Sequence, residues 1–498
     1  MLFRQIYDEK LAQYAYLVGC EATGEALIID PERDIDRYVA LAEEEELRIT
    51  AVAETHIHAD FLSGAREFAE RFGTKVYLSG EGGEEWTYGW IDGESRVGRP
   101  YDVTVLRDGD TFSVGNIEVR AVHSPGHTPE HLVYLIVDRG GGASDPMGVV
   151  SGDFIFVGDL GRPDLLEQAA GYEGVQEEAA RQLYGSLPRF TELEDHVQVW
   201  PGHGAGSVCG KALGAVPTST VGYEKRYNAS LAAAQDGEDA FVDAILSGQP
   251  EPPLYFARMK RDNRDGVPLL DGLPRPRELT ARELGRYSED DGTVVIDTRL
   301  DRSAFMARHL PGSLYAPMTE TFNTRVGSVL VDEEKPVALV IDSDRVEEAV
   351  RDLVRIGFDN VVGYATPETL VRYLNQGGPS ARIEEIDFDD VARMREDEDV
   401  VVLDVRYRSE YDAGHVPGAV NASYTRLPEL YEDRVPPEGT LLVHCSTGAR
   451  SAVAAAWLEA RGRDVKYVGS RWTTWSEGDH PVEKEMAEDT SAEAVAAV

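Results

Sequence analysis

The stretch Thr55-His-Ile-His-Ala-Asp60 follows an apolar run that is typical of a buried strand. Three further segments place histidine or aspartate in a turn after such a run, namely Pro125-Gly-His-Thr128, Gly152-Asp153 and Pro201-Gly-His-Gly204. Because a strand end fixes the backbone of the turn that follows, several such turns at one sheet edge can converge on a metal ion. The plainer interpretation, capping aspartates and solvated loop histidines, fits one such segment better than four in succession. The sequence therefore predicts a metal site.

The charge of the chain excludes several classes of partner. It has 498 residues, with 49 Lys and Arg against 90 Asp and Glu and a net charge of −41. Nucleic acids and anionic membranes are bound by clustered cations, so neither is an expected partner. Two explanations of the acidity stay open, a protein adapted to high salt and an ordinary acidic cytosolic protein.

The cysteines and the N-terminal residues bear on the expected location. Cys20, Cys209 and Cys445 are too few and too scattered for a disulfide framework or a structural zinc cluster. The first residues lack the basic and apolar segments of a signal peptide, and no run approaches the ~18 apolar residues of a membrane span. These observations predict a cytoplasmic protein. Cys20 is expected in the core, and Cys209 either packs as a small residue or approaches the metal pocket.

The length and an internal repeat divide the chain. A length of 498 residues predicts two to four domains. Val294-Val-Ile-Asp-Thr-Arg299 matches Val401-Val-Leu-Asp-Val-Arg406, and His309-Leu-Pro-Gly312 returns about 106 residues later as His415-Val-Pro-Gly418. Strands alternate with helices in both copies, which favours parallel sheets with helices on both faces. We predict an α/β chain with domains at 1–250, 276–375 and 383–484. The second and third are called the Cys-less copy and the Cys445 copy below.

A second reactive segment lies in the Cys445 copy. Val443-His-Cys-Ser-Thr-Gly-Ala-Arg450 joins an apolar strand to a helix. The loop amides and the helix N-terminus can surround one anion, so Cys445 is expected to be a nucleophilic thiolate. Arg450 closes the loop and is expected to steady the bound anion. The expected substrate-binding residues are those between these two, Ser446, Thr447, Gly448 and Ala449.

The four histidine and aspartate segments resemble those of the metallo-β-lactamase superfamily, which implies an αβ/βα sandwich. In its dinuclear hydrolases the first motif ends in Asp-His, and the last His holds the second metal. Phe61 occupies that position here and cannot bind a metal.

A site with one metal resembles the persulfide dioxygenase branch of that superfamily. The resemblance implies Fe(II), one per chain, held by His56, His127 and Asp153, with three positions free for oxygen and a persulfide. It makes His58, Asp60 and His203 residues that orient the ligands. Arg162 is a candidate for binding a carboxylate or sulfinyl oxygen of the substrate. The alternative interpretation is that Arg162 forms an ordinary ion pair at the surface. Zinc is the alternative metal.

The six-residue loop from Cys445 to Arg450 resembles that of the rhodanese sulfurtransferases, as do Asp404-Val-Arg406 and His415-Val-Pro-Gly418. This implies a Cys445 that carries sulfane sulfur as a persulfide. The Cys-less copy resembles the same fold. Aligned on its apolar strand, Asp342 is expected where the other copy has Cys445, which implies a pseudo-rhodanese used for architecture or docking.

Together these resemblances imply a persulfide dioxygenase fused to two rhodanese-like domains. The expected partners are thiol persulfides of the glutathione or coenzyme A type, O2, sulfite and thiosulfate, and the expected assembly is a homo-oligomer. Two rivals stay open. One is a zinc thioester hydrolase resembling glyoxalase II with an appended sulfurtransferase. The other is a non-enzymatic first domain that presents Cys445 to a partner protein.

Overall fold

Two six-stranded sheets pack face to face in the first 220 residues of the computed structural model, which describes residues 1–165, 174–289 and 292–485. The first sheet has the order β1-β2-β3-β4-β5-β6 and the second β12-β11-β10-β9-β8-β7. The strands of this part are β1 Leu2–Asp8, β2 Gln13–Cys20, β3 Glu25–Ile29, β4 Arg48–Ala53, β5 Lys75–Ser79, β6 Val103–Leu106, β7 Thr111–Val114, β8 Ile117–His123, β9 Leu132–Asp138, β10 Gly148–Gly152, β11 Gln198–Pro201 and β12 Ser219–Thr220.

Period-two alternation decides which face of each strand is buried between the sheets. In β2, Tyr16 and Val18 point into the layer between the two sheets, while Ala15 and Leu17 pack on the opposite face. Helices cover both outer faces, which gives the αβ/βα sandwich that the motifs predicted. The helices of this part are α1 Asp36–Glu44, α2 Ala65–Phe72, α3 Gln176–Thr191, α4 Val221–Tyr227, α5 Ala229–Ala234, α6 Glu238–Leu246 and α7 Tyr255–Asp265.

The two repeats form two parallel five-stranded sheets with the same strand order, as the repeat predicted. The sheet of the Cys-less copy runs β13-β17-β16-β14-β15, and that of the Cys445 copy runs β18-β22-β21-β19-β20. The elements are β13 Arg277–Glu278, α8 Ala281–Glu289, β14 Val294–Asp297, α9 Arg302–Ala307, β15 Leu314–Tyr315, α10 Phe322–Val329, β16 Val337–Val340, α11 Val346–Arg355, β17 Val361–Ala365, α12 Pro367–Asn375, β18 Glu384–Ile386, α13 Phe388–Met394, β19 Val400–Asp404, α14 Arg408–Ala413, β20 Val420–Asn421, α15 Leu427–Arg434, β21 Thr440–His444, α16 Ala449–Glu459, β22 Val465–Val468 and α17 Trp472–Ser476.

Helix α11 docks the Cys-less copy onto the first sandwich through buried charges. Arg355 pairs with carboxylates of the sandwich, namely Asp8, Glu32 and Asp34. Lys10 of the sandwich pairs in return with Glu348 and Asp352 of α11. Charges taken out of water need such partners, so this junction fixes how the two parts meet.

Residues 224–247 have a helical pattern, and the structure forms three short helices there, α4, α5 and α6, which are divided at Asn228 and Gly237. Helix α7 was not predicted; it lies between two proline-rich segments, residues 249–253 and 272–277. The expected frayed tail, Ala487–Val498, lies outside the described residues.

The strand register also corrects the alignment of the two copies. Asp297 pairs with Val340 in the Cys-less copy, and the matching Asp404 pairs with His444 in the Cys445 copy. Ile341, and not Asp342, therefore occupies the position of Cys445. Ile341 is buried whereas Asp342 is exposed, so aligning the copies by the apolar run alone placed the residues one position out. No helix among the described residues has the length and apolarity of a membrane span.

Candidate metal centre and cysteine loop

Three strand ends bring His56, His127 and Asp153 together, the set that the resemblance implied as ligands. His56 follows β4, His127 lies between β8 and β9, and Asp153 follows β10. One ligand atom from each lies within 4.8 Å of the other two, and all three residues are buried. The Nε2 atom of His127 is 3.5 Å from Oδ2 of Asp153. This geometry fits two imidazoles and one carboxylate facing a common point.

Both imidazoles are oriented through their Nδ1 atoms. His127 Nδ1 donates to the carbonyl oxygen of Arg162 at 3.0 Å. His56 Nδ1 donates to Thr55 Oγ1 at 2.9 Å, and the Thr55 hydroxyl donates in turn to Asp30. These bonds fix the tautomer that leaves each Nε2 lone pair free, as a metal-binding histidine requires. Burial keeps both rings neutral, because it lowers the pKa of His127 to about 4 and the pKa of His56 well below its ordinary value.

The carboxylate of Asp153 has the environment that a cation would satisfy. Both of its oxygens are buried without a hydrogen-bond partner among the described residues. Burial raises the pKa of this carboxyl to about 6, since nothing nearby compensates its charge fully. A buried acceptor pair beside two free imidazole lone pairs fits a divalent first-row metal.

A second group of ligand atoms lies beside the first. Asp60, His203 and Cys209 each offer an atom within 4.8 Å of the others, and all are buried. His203 Nε2 is 3.3 Å from Asp60 and 3.5 Å from Asp153. Cys209 is therefore both packed and next to the pocket. Burial raises the pKa of its thiol well above the ordinary value.

His58 does not join the first three ligands. Its Nε2 atom lies 3.3 Å from Asp30 and 3.1 Å from Glu54, and these carboxylates raise its pKa well above the ordinary value despite its burial. Its ring centroid is 4.2 Å from that of His56 on one side and 4.3 Å from that of Phe61 on another. His58 is thus held in a separate carboxylate pocket.

Arg162 does not present a free guanidinium to a substrate. It is completely buried, pairs with Asp164 through two hydrogen bonds, and donates to the carbonyl oxygens of Val208 and Pro250. A surface ion pair, the other interpretation, is wrong as well. The residue serves the site through its own carbonyl, which orients His127.

Sequence reasoning missed the residues that hold the first motif in place. Asn263 of α7 donates through Nδ2 to the carbonyls of His58 and Phe61 and accepts from the Ser63 amide. Glu130 accepts from the amide of Ile57. Asn263 lies 202 residues from Phe61 along the chain, and it belongs to no recognisable motif.

The Cys445 loop lies between β21 and α16, as predicted. Cys445 is 1% exposed, and its Sγ atom accepts a hydrogen bond from Ser451 at 3.5 Å. Gly448 has φ +82°, and a Cβ there would lie 2.5 Å from the hydroxyl of Tyr467. The tight loop thus depends on glycine at this position.

Arg450 closes the loop but already has a carboxylate partner. Its guanidinium donates to both oxygens of Glu410 at 2.5 and 2.8 Å and to Ser446 Oγ at 2.9 Å. Ser446 donates to Glu410 as well. Although burial opposes it, this partner lowers the pKa of Glu410, so the carboxyl is ionised. The positive charge that Arg450 was expected to offer to an anion is therefore already paired with Glu410, a residue that sequence reasoning did not select.

Two family models match this chain. The metallo-beta-lactamase superfamily model matches residues 9–203, and the rhodanese-like domain model matches residues 387–477.

The chain is also similar to individual proteins. A metallo-beta-lactamase from Staphylococcus aureus subsp. aureus COL, known as a crystal structure, shares 39% sequence identity, covers 74% of this chain and 99% of its own, and has a TM-score of 0.62. The crystal structure of ETHE1 from Myxococcus xanthus shares 28% identity over 53% of this chain and 98% of its own, with a TM-score of 0.40. A hydroxyacylglutathione hydrolase from Gloeobacter violaceus is 30% identical over 194 residues, 38% of this chain and 63% of its own length.

Proposed function

Since this chain belongs to the metallo-β-lactamase superfamily and carries a rhodanese-like domain, we propose that it is a persulfide dioxygenase with a sulfurtransferase. With one Fe(II) per chain it oxidises a thiol persulfide of the glutathione or coenzyme A type to sulfite. The Cys445 copy then transfers sulfane sulfur to form or use thiosulfate. In this proposal residues 1–250, 276–375 and 383–484 are the domains.

The observation that carries the proposal is a three-residue ligand set to which neither His58 nor residue 61 adds a nitrogen. His56, His127 and Asp153 face one point, while the carboxylates of Asp30 and Glu54 hold the Nε2 atom of His58. Phe61 stands where a further nitrogen ligand would be needed for the second metal. Non-haem Fe(II) oxygenases use such a set, in which two histidines and one carboxylate bind the metal and the opposite positions stay open.

In this reaction the chain's own residues would bind the metal and orient the metal-binding imidazoles. Bound Fe(II) would bind both O2 and the persulfide and would let electrons pass from the sulfur to O2. Thr55 and the Arg162 carbonyl hold the two imidazoles in the ligating tautomer. Burial of all three ligands keeps bulk water from the reacting sulfur. The balance is RSSH + O2 + H2O → RSH + SO3²⁻ + 2 H⁺.

The second site uses the product of the first. Cys445 takes a sulfane sulfur from a second persulfide and passes it to sulfite, which gives thiosulfate and restores the thiolate. The loop amides and the N-terminus of α16 favour an anion at this point. Fusion of the two domains supports this coupling, because one chain then makes the acceptor and uses it.

A zinc thioester hydrolase is the second candidate. The cluster of Asp60, His203 and Cys209 beside Asp153 favours it, since it offers ligand atoms for a second metal. The similarity to a hydroxyacylglutathione hydrolase supports the same alternative.

The two candidates are separated by loading metal-free protein with Fe(II) or with Zn²⁺ and offering each form a glutathione persulfide and a glutathione thioester. We expect sulfite from the iron form and little thioester hydrolysis from either. Rapid thioester hydrolysis by a form holding two zinc ions per chain, without sulfite from the iron form, would establish the hydrolase instead.

A further inference from the structure

The charge around the Cys445 loop is not supplied by Arg450 alone. Glu410 meets its guanidinium with two hydrogen bonds, so the pair carries no net charge. Thiosulfate is a dianion at neutral pH, and sulfite leaves the sulfur-transfer step as a dianion. A loop whose own arginine is neutralised needs further cations to hold them.

Arg302 of the Cys-less copy reaches the Cys445 loop. It is the first residue of α9, and its Nη1 atom donates to the carbonyl oxygen of Thr447 at 3.0 Å. The same Nη1 lies 2.9 Å from the point that a Cβ would occupy at Gly448. No carboxylate of the described residues is within ion-pair distance of this guanidinium, so its charge is available at the loop.

Arg325 approaches the same region from the middle of α10. This helix packs against α16 and against the turn Tyr424–Arg426. The Arg325 guanidinium donates a hydrogen bond to Thr319 Oγ1 at 3.2 Å and has no other polar side-chain partner in the parts of the chain that the structure describes. Burial lowers the pKa of Arg325, while the nearby tyrosines Tyr424 and Tyr315 and the thiol of Cys445 raise it. A largely buried arginine without a carboxylate is costly unless an anion binds it.

The interface between the copies holds both arginines in place. Trp457 Nε1 of α16 donates to the carbonyl of Val329 at the end of α10, at 3.0 Å. Cys445, Tyr315 and Phe322 belong to one apolar cluster that spans both copies. The approach of the Cys-less copy to the loop is therefore a packed arrangement.

We propose that Arg302 and Arg325 of the Cys-less copy complete the anion site of Cys445 and bind the oxyanion end of thiosulfate or sulfite. This inference rests on the proposed sulfur transfer for its ligand. The Cys445 thiolate attacks the sulfane sulfur, an S–S bond forms at cysteine, and the S–S bond of thiosulfate breaks. Its electron pair leaves with sulfite, and no proton moves. Both arginines would stabilise the two charges of the leaving sulfite.

The first test measures charge at the loop without relying on any activity. Alkylation of Cys445 by anionic iodoacetate is compared with that by neutral iodoacetamide in Arg302→Gln, Arg325→Gln and the double variant of the full chain. We expect the ratio of the two rates to fall about tenfold for each removed charge and to recover in Arg302→Lys and Arg325→Lys. Arg282→Gln, an exposed arginine on α8 of the same copy, is the matched control and should change nothing. An unchanged ratio, or equal slowing with both reagents, would overturn the proposal.

The second test identifies the anion. KM for thiosulfate should rise about tenfold in each Gln variant with a smaller change in kcat, while KM for glutathione persulfide changes little. A rise confined to glutathione persulfide would overturn the assignment to a sulfur oxyanion. If the alkylation ratio falls but the wild type transfers no sulfur, the charged site stands and the proposed function fails.

Discussion

The ring of Phe61 packs against the imidazole of His58, with 4.3 Å between their centroids and 33° between their planes. Phe61 is completely buried, and its carbonyl accepts a hydrogen bond from Asn263. An apolar side chain thus occupies the position next to Asp60 where related dinuclear sites use a nitrogen ligand. In the proposed function the metal is therefore held by His56, His127 and Asp153, whose ligand atoms lie within 4.8 Å of one another.

Phe61→His is expected to raise the bound zinc from one toward two per chain, because it adds a nitrogen ligand beside Asp60 and His203. Metal analysis after dialysis measures this directly. Phe61→Leu, which removes the ring without adding a ligand, should keep one metal. Two metals per chain in the wild type would contradict the explanation.

Asn263→Ala should remove the hydrogen bonds by which α7 holds the segment from His58 to Ser63. Three buried hydrogen bonds are lost, which predicts a destabilisation of about 3 kcal/mol. Urea unfolding of the metal-free protein measures the loss, and metal affinity should fall with it. Asn116→Ala, at an exposed asparagine, is the control. Equal stability of the two variants would show that α7 does not support the motif.

Asp404 gives the Cys445 copy a predicted dependence on pH. Burial alone would raise the pKa of Asp404, but His444 and Arg406 lower it below its ordinary value. A lowered folded-state pKa contributes stability above the unfolded value of about 3.9, and this contribution is lost as the pH falls through the folded value. Asp404→Asn should cost about 3–5 kcal/mol at pH 7, because it leaves Arg406 buried without its partner.

Hydrogen exchange in β19 and β21 at pH 7 and at pH 3 measures this effect. The difference between the wild type and Asp404→Asn should shrink at the lower pH. A difference that stays constant would show that the Asp404 carboxylate has no lowered pKa in the folded protein.

Cys445→Ser should separate the two activities. Oxygen uptake with a persulfide should continue, because the proposed metal ligands lie in the first sandwich, but sulfite should accumulate in place of thiosulfate. Separating sulfite from thiosulfate by ion chromatography gives the ratio. Cys20→Ser, at a cysteine buried in the first sandwich, should leave the product ratio unchanged. Unchanged thiosulfate formation in Cys445→Ser would contradict the proposal that Cys445 transfers the sulfane sulfur.

The chemistry-bearing residues were predictable where each follows a strand in a short motif. His56, His127 and Asp153 were predicted in this way, and the structure brings their ligand atoms together. The parallel sheets of the two copies followed from their repeat. Asn263 was not, because its contacts with the first motif depend on a helix that sequence periodicity did not reveal. Asp342 was wrongly predicted at the position of Cys445, which Ile341 occupies, since only the pairing of β14 with β16 fixes the register.

Glu410 and Arg302 illustrate a further limit of sequence reasoning. Glu410 lies 40 residues from Arg450, and Arg302 lies 145 residues from Thr447 in the other copy. Neither residue belongs to one of the reactive motifs of the sequence. Their importance arises only when packing brings two elements or two copies together.

Oxygen uptake by the iron-loaded full chain with glutathione persulfide or coenzyme A persulfide tests the central claim most directly. We predict that one O2 is consumed for each sulfite released in Cys445→Ser, that His56→Ala abolishes the uptake, and that His196→Ala, at an exposed histidine, leaves it unchanged. Absence of oxygen uptake by iron-loaded wild-type protein with either persulfide would contradict the account.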